Sequence, residues 1–328
     1  MDRNVESKGG APSGALPPFS GVRIGWGDRL FRGMTGFFAL LIIALALLTA
    51  LELFLQSRPA LEKLGWSFFR TSDWNPVTEV FGAVPFVYGT LMSSLIALLI
   101  AGPLGLGIAL FLSELAPLKM REPVSFLVEI LAAIPSVVYG LWGIFLLAPL
   151  MREWVDPLLI NAFGAPFFKG PTTGLSLSTA GVILAIMILP TITAISREVF
   201  EAVPNAFRES ALALGATRWE TILLAVLKPS QAGILGAVML GLGRALGETM
   251  AVTMVIGNRP EVSLNLLDPS HSMASVIANE FTEAMGDVHL SALALIGLLL
   301  MGITFALNIA ARLLVWAATR QYKLPGKA

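Results

Sequence analysis

The amino-acid sequence predicts an all-α, polytopic membrane protein with six transmembrane helices. Of its 328 residues, 55% are hydrophobic and 13% are charged, whereas about 25% of residues in soluble domains are charged. The mean hydropathy is +0.77. Six apolar runs reach the roughly 20 residues that a helix needs to cross a bilayer. They lie near residues 34–55, 88–112, 124–150, 179–197, 230–257 and 291–316.

The segment before the first run contains the Pro-, Gly- and Ser-rich stretch SKGGAPSGALPPFSG. Such a composition buries too little apolar surface to fold, so residues 1–33 are expected to form a disordered cytoplasmic tail. The first run is 22 residues long and is not closed by a small-residue cleavage motif, so we interpret it as an uncleaved span. Residues 34–328 are then expected to form one membrane domain.

The distribution of Lys and Arg predicts the orientation of the chain. With the N-terminus inside, 15 of these residues fall in inside segments and 6 in outside segments. An excess of Lys and Arg marks cytoplasmic loops, so both termini are predicted to be cytoplasmic.

Two carboxylates lie near the ends of spans, and two prolines lie inside spans. Glu52 and Glu129 lie near span ends, where a side chain can extend to the membrane surface. Pro135 and Pro190 fall inside the third and fourth runs. Helix breaks are tolerated where neighbouring groups satisfy the freed backbone, so these positions could be packing kinks or gating hinges.

Several classes of site are excluded or unsupported. The chain has no cysteine, which rules out disulfides and thiolate metal ligands. His271 and His289 stand alone in an outer loop, without further ligands at metal-binding spacing. The P-loop pattern is absent, and no catalytic constellation is evident. We therefore expect neither cofactor nor metal, and no enzyme activity of the chain's own.

The fifth run contains MLGLGRALGETMAV, with Arg244 and Glu248 four residues apart. Each charge costs roughly 2.5–3.5 kcal/mol at a helix centre. One interpretation is a buried ion pair that locks two helices together. The other places Arg244 on a substrate path, where its planar donors match an oxyanion and Glu248 holds it in place. Charged residues inside a membrane span usually mark a functional site, which favours the second interpretation. The charges alone indicate a pathway for an anion or a proton.

The longest inside segment, 197–229, predicts two short helices joined by a tight turn. Pro204 suits a helix start and Gly215 the residue after a helix end. Thr217 and Glu220 form a capping box for the second helix, which we expect to stop before Pro229. Flanking spans and balanced charges argue against a DNA-binding helix-turn-helix, so no nucleic acid partner is expected.

Within this segment, ESALALG followed by TRWETILLAVLKP resembles the EAA loop of ABC importer permeases. The resemblance implies a type I permease fold and a short helix that fits a cleft in an ATPase subunit. The residues it assigns to this coupling loop are Glu201, Glu209, Ser210, Ala211 and Gly215. Ser210 replaces the usual Ala, and the terminal Leu-Pro is interrupted by Lys228.

A narrower resemblance runs from about residue 74 onward. AAIPSVVYGLWGIF and GLGRALGETMAV are similar to the PstC family, permease subunits of high-affinity phosphate ABC importers. This resemblance implies a multi-pass bacterial inner-membrane protein that carries inorganic phosphate. It implies as partners membrane lipid, a second permease subunit, two ATP-binding subunits and an extracytoplasmic phosphate-binding protein.

Three alternatives remain open at this point. A permease for sulfate or molybdate would carry the same loop. An ion-driven secondary transporter or proton channel would use Arg244, Glu248 and Glu129 as a relay. A membrane scaffold would tolerate apolar residues at both central charges. The EAA-like loop disfavours the last two.

Overall fold

The computed structural model describes residues 26–320, with side chains to residue 316. The α-helices are α1 (Trp26–Leu64), α2 (Val84–Leu110), α3 (Leu118–Ala133), α4 (Ser136–Trp142), α5 (Ala148–Leu150), α6 (Asp156–Phe163), α7 (Leu177–Glu201), α8 (Asn205–Ala213), α9 (Arg218–Thr221), α10 (Lys228–Leu246), α11 (Met250–Val255), α12 (Met273–Glu280) and α13 (Asp287–Arg320). A 3₁₀ turn covers Gly65–Phe69, and π-helical turns cover Phe111–Leu115, Gly143–Leu147, Met151–Val155 and Ile222–Leu227. Strands β1 (Trp74–Asn75) and β2 (Val80–Phe81) form a short antiparallel hairpin, with Trp74 opposite Phe81.

The helices confirm the predicted class of fold. Five helical segments are long and apolar enough to span a membrane: Trp26–Phe69, Val84–Leu115, Leu177–Glu201, Arg218–Leu246 and Asp287–Trp316. A sixth span is formed if Leu118–Ala133 and Ser136–Phe163, which meet at 93°, are counted together. The break between them falls at Pro135, because a proline disfavours the helical conformation of the residue before it.

The first span begins earlier than predicted. Helix α1 starts at Trp26, so residues 26–33 are helical and the expectation of a disordered tail is wrong for them. The rest of that expectation, residues 1–25, lies outside the described residues. Contacts divide the chain after Thr49 into two units. The described part of the first unit is a single helical segment, and the second unit contains the remaining elements.

Helix α7 is the centre of the second unit. It packs against α2, α3, α10 and α11, and Ile183, Ile188 and Ile192 on it are fully buried. Small residues on the neighbouring helices let the backbones approach closely, as is usual in membranes. A Cβ on Gly241 would lie 2.8 Å from Ile192 Cγ1.

The small residues of α10 permit close helix packing on one face only. Ala237 is fully buried, and a Cβ on Gly233 would lie 2.5 Å from Val199 Cγ1. By contrast, no atom lies within 4 Å of a Cβ built on Gly243. Gly243 therefore contributes no close helix contact within the described residues.

A second cluster joins the hairpin to α12 and α13. Phe81 and Phe86 are buried, and Trp74 packs edge-on against both, with ring centroids 4.8 Å apart. The Trp74 Nε1–H donates to Glu280 Oε2 at 2.8 Å, and His289 Nε2 lies 2.9 Å from the same oxygen. These aromatic residues therefore form a core of their own.

His271 is buried beside this cluster and hydrogen bonds through Nδ1 to Ser275 Oγ at 2.6 Å. Burial disfavours the charged imidazole and lowers the pKa of His271 to about 4. An unfolded histidine has a pKa of about 6.5. Between these values the unfolded chain binds more protons, so acidification destabilises the folded chain.

We expect the free energy of unfolding to fall by roughly 3 kcal/mol from this group between pH 6.5 and pH 4. Thermal unfolding of the wild type and of His271→Asn across this range isolates the contribution of His271, because the carboxylates titrate equally in both chains. An equal loss of stability in both would contradict the assignment.

Candidate functional site

Arg244 lies in the last turn of α10, not at the centre of a span. The segment Arg218–Leu246 is one helical span of 29 residues, and the predicted span 230–257 is broken at residues 247–249. A cation in the last turn of a helix is stabilised by the partial negative charge of the free carbonyls there.

The Arg244 side chain faces α4 and α7. Its Nη1 donates a long hydrogen bond of 3.4 Å to Thr191 Oγ1, and the Tyr139 hydroxyl of α4 lies near it. That hydroxyl donates to Leu131 O at 2.7 Å and so bridges the break between α3 and α4. Thr191 and Tyr139 were missed by the sequence analysis, because they lie 53 and 105 residues away with no motif linking them.

Glu248 does not tether Arg244, and the expectation that it would is wrong. The two groups form no ion pair within the part of the chain that the structure describes. Instead, the Glu248 carboxylate accepts from the Ala251 N–H at 3.2 Å, at the start of α11. A carboxylate at this end complements the free N–H groups and the helix dipole. The opposite charges are therefore accommodated separately, at the two helix ends flanking one break.

Two broken helices meet beside Arg244. Helix α4 packs against α11, and a Cβ on Gly140 would lie only 3.2 Å from Ala251 Cα. One break is at Pro135 and the other at residues 247–249. Irregular backbone at membrane depth is found where it is buried in protein or lines a water-filled cavity.

The guanidinium retains binding capacity. It has five N–H donors, and within residues 26–316 only the long bond to Thr191 uses one of them. Arg244 and Glu248 are both partly exposed. Several donors are thus free to meet an oxyanion bidentately. Arg244 does not line the cavities of 620, 360, 550 and 330 Å³ found within the described residues.

The coupling-loop candidate has the predicted start and turn. Helix α8 follows Pro204, and Gly215 adopts φ +86°, which favours glycine. The capping box is confirmed: Glu220 Oε2 accepts from the Thr217 N–H at 2.7 Å, and the Glu220 N–H donates to Thr217 Oγ1 at 3.3 Å.

The predicted end of the second helix is wrong. Helix α9 does not stop before Pro229 but continues through a π-helical turn at Ile222–Leu227 into α10. Proline lacks the N–H of a regular helix and crowds the preceding turn, and the wider π-helical turn beside it absorbs this distortion. The loop is therefore directly continuous with the helix whose last turn carries Arg244.

The motif residues of the loop present a surface. Glu209, Ser210 and Gly215 are exposed and Ala211 is partly exposed. Glu201 precedes α8 and pairs with Arg197, with Arg197 Nε 2.7 Å from Glu201 Oε1. Large apolar side chains, which no sequence motif had marked, are exposed around them. These are Phe207 (56%), Leu212 (50%), Leu214 (90%) and Trp219 (61%).

Three further residues were singled out from the sequence. Glu129 is exposed on α3, and Glu52 Oε1 accepts from Gln56 Nε2 at 2.8 Å. Pro190 is buried inside α7, which continues through it. Within the described residues, no three potential ligands cluster as a metal site would require.

A contact test follows from the packing of α4 on α11. We expect Gly140→Ala to lower the melting temperature, because the added methyl group must displace α11. The matched control is Gly107→Ala, where no atom lies within 4 Å of the new Cβ and the helix gains roughly 0.5–1 kcal/mol. Equal thermal shifts for the two variants would contradict the packing.

Comparison with known proteins identifies relatives over most of the chain. The family model "Binding-protein-dependent transport system inner membrane component" matches residues 101–317. The phosphate transport system permease protein PstC of Mesorhizobium japonicum is 49% identical over 290 residues, covering 87% of this chain and 89% of that protein. Its counterpart from Haemophilus influenzae is 44% identical over 307 residues, covering 92% and 96%.

A solved structure supports the fold. A chain of the MetNI methionine ABC transporter in an inward-facing conformation superposes with a TM-score of 0.54. It is 17% identical in sequence, and the match covers 72% of this chain and 95% of that chain. At this identity the likeness concerns the fold alone.

Proposed function

The chain belongs to the family of binding-protein-dependent transport system inner membrane components, and from this premise we propose that it is a permease subunit of an ATP-driven phosphate importer. The observation that supports phosphate as the transported substrate is the 49% identity to a phosphate transport permease over 87% of the chain. The chain would form half of the pathway, and a second permease subunit the other half.

Arg244 is the residue we assign to the phosphate path. Its free donors, the broken helices beside it and its partial exposure all suit an anion that must bind briefly and leave. A second permease packed over this side would enclose the guanidinium and raise its electrostatic attraction for phosphate. Thr191 and Tyr139 would orient it, and Glu248 would hold the break in α10–α11 in shape.

The coupling loop is the proposed contact for ATP-hydrolysing subunits, so catalysis would lie in partner proteins. Its apolar surface around Leu214 is exposed in this chain, and burying it in a cleft would be favourable. Two such subunits, one for each permease, would drive the cycle from the cytoplasmic side. An extracytoplasmic binding protein would deliver phosphate on the other side, in a bacterial inner membrane.

Uptake into proteoliposomes tests the role of Arg244. Charge-assisted hydrogen bonds contribute about 1.5–3 kcal/mol, so Arg244→Ala should reduce phosphate uptake by about 10- to 100-fold. Arg312→Gln is the matched control, since Arg312 is an exposed arginine on a different span. Uptake by Arg244→Ala at the wild-type rate would remove Arg244 from the path.

The same assay separates the alternatives. Competition by sulfate or molybdate as strong as that by phosphate would assign another oxyanion, and uptake driven by membrane potential without ATP would indicate a secondary transporter.

Co-purification tests the docking role of the loop. We expect Leu214→Asp to reduce recovery of the ATPase subunits at least tenfold, because a carboxylate in an apolar cleft is costly to bury. Leu118→Asp provides the control: Leu118 is 81% exposed and lies outside the loop. Normal recovery with Leu214→Asp would show that the ATPase docks elsewhere.

A further inference from the structure

The side chain of Arg208 fixes α8 to the ends of two spans. Its Nε and Nη2 donate to the Glu114 carboxylate at 3.1 and 2.7 Å. The remaining N–H groups donate to Phe200 O at 2.9 Å, to Val203 O at 2.6 Å and to Asn205 Oδ1 at 3.3 Å. All five donors of the guanidinium are therefore used.

Glu114 lies in the π-helical turn Phe111–Leu115 that ends α2, and Phe200 lies in the last turn of α7. Arg208 therefore joins α8 both to α7, which directly precedes it, and to the end of α2, 94 residues earlier in the chain.

The pair differs from the other ion pairs formed by Lys and Arg in the described residues. Its side chains are only 18% and 11% exposed, whereas the side chains of the other four pairs are 28–61% exposed. Exposed pairs contribute little, because water and salt screen them. A shielded, bidentate pair with every donor satisfied holds one geometry.

A small apolar cluster also joins the ends of α2 and α7 to the helical segment that leads into α10. Ala109 of α2, Phe200 of α7 and Val226 of the π-helical turn before α10 pack together and are fully buried from solvent. The cytoplasmic ends of these helices thus have little freedom to move independently, since packed interiors resist deformation.

We propose that the Arg208–Glu114 pair is the transmission contact of the coupling loop: it makes α2 follow α8 when the ATPase subunits close. This inference rests on the proposed function, because it needs α8 to be the docking helix. Arg208 acts as a positioning residue, since it contacts neither ATP nor phosphate.

The ratio of phosphate transported to ATP hydrolysed separates transmission from ordinary stability. A variant that only folds less well yields fewer complexes, but each of them keeps its ratio. The assay uses the complete complex in proteoliposomes, with the phosphate-loaded binding protein supplied at a saturating level.

We expect Arg208→Gln and Glu114→Gln each to lower this ratio at least tenfold while the ATPase subunits still co-purify. The double variant should be no worse than either single variant, because both remove the same interaction. Lys119→Gln is the control for loss of charge near the same helix ends, because Lys119 is exposed and makes no ion pair within the described residues.

Conservative variants keep the test valid if the glutamine variants fail to fold. Arg208→Lys retains the charge but lacks the planar fork of donors, and Glu114→Asp retains the carboxylate but shortens its reach by one methylene group, so both should also lower the ratio. An unchanged ratio in the folded variants, multiplicative effects in the double variant, or loss of the ATPase subunits would overturn the proposal. Failure of the proposed function would appear differently, as a wild-type complex that takes up no phosphate.

Discussion

One uninterrupted helix connects the two candidate functional sites. The segment Arg218–Leu246 carries the coupling turn at one end and Arg244 at the other. Its length is about 44 Å at 1.5 Å per residue, enough to cross a membrane and extend beyond it. Close packing against α7 through small residues holds it laterally. A helix is stiff along its axis, so displacement of one end reaches Arg244 directly, while the Arg208–Glu114 pair is proposed to pass the same displacement to α2.

The two charges at the far end follow from where this helix stops. The break at residues 247–249 creates free carbonyls on one side and free N–H groups on the other. Arg244 and Glu248 each complement the dipole of their own helix end. Because they are not neutralised by each other, the guanidinium keeps donors that an anion can use. The neighbouring break at Pro135 leaves a second irregular segment beside the first.

Much of this architecture could be predicted from the sequence. The spans follow from runs of apolar residues, and the turn of the coupling loop follows from Gly215, Thr217 and Glu220, whose constraints are local. The continuation through Pro229 could not be predicted, because proline ends most helices and the π-helical turn that accommodates it has no sequence signature. The contacts of Arg208 and Arg244 depend on residues from other helices, which periodicity and spacing do not reveal. The pairing of Arg244 with Glu248 was wrong for a related reason: spacing of four implies one face only if the helix is continuous.

The central claim is that the coupling turn and Arg244 move as one rigid segment. Because the chain has no cysteine, spin labels can be introduced at Arg218→Cys and Gly243→Cys without background. The two positions should lie about 37 Å apart along the helix, a distance measurable by pulsed electron paramagnetic resonance. We expect the same narrow distance distribution in the nucleotide-free and ATP-bound complexes. A shift or broadening on ATP binding would show that the helix bends at Ile222–Leu227, and the account would be contradicted.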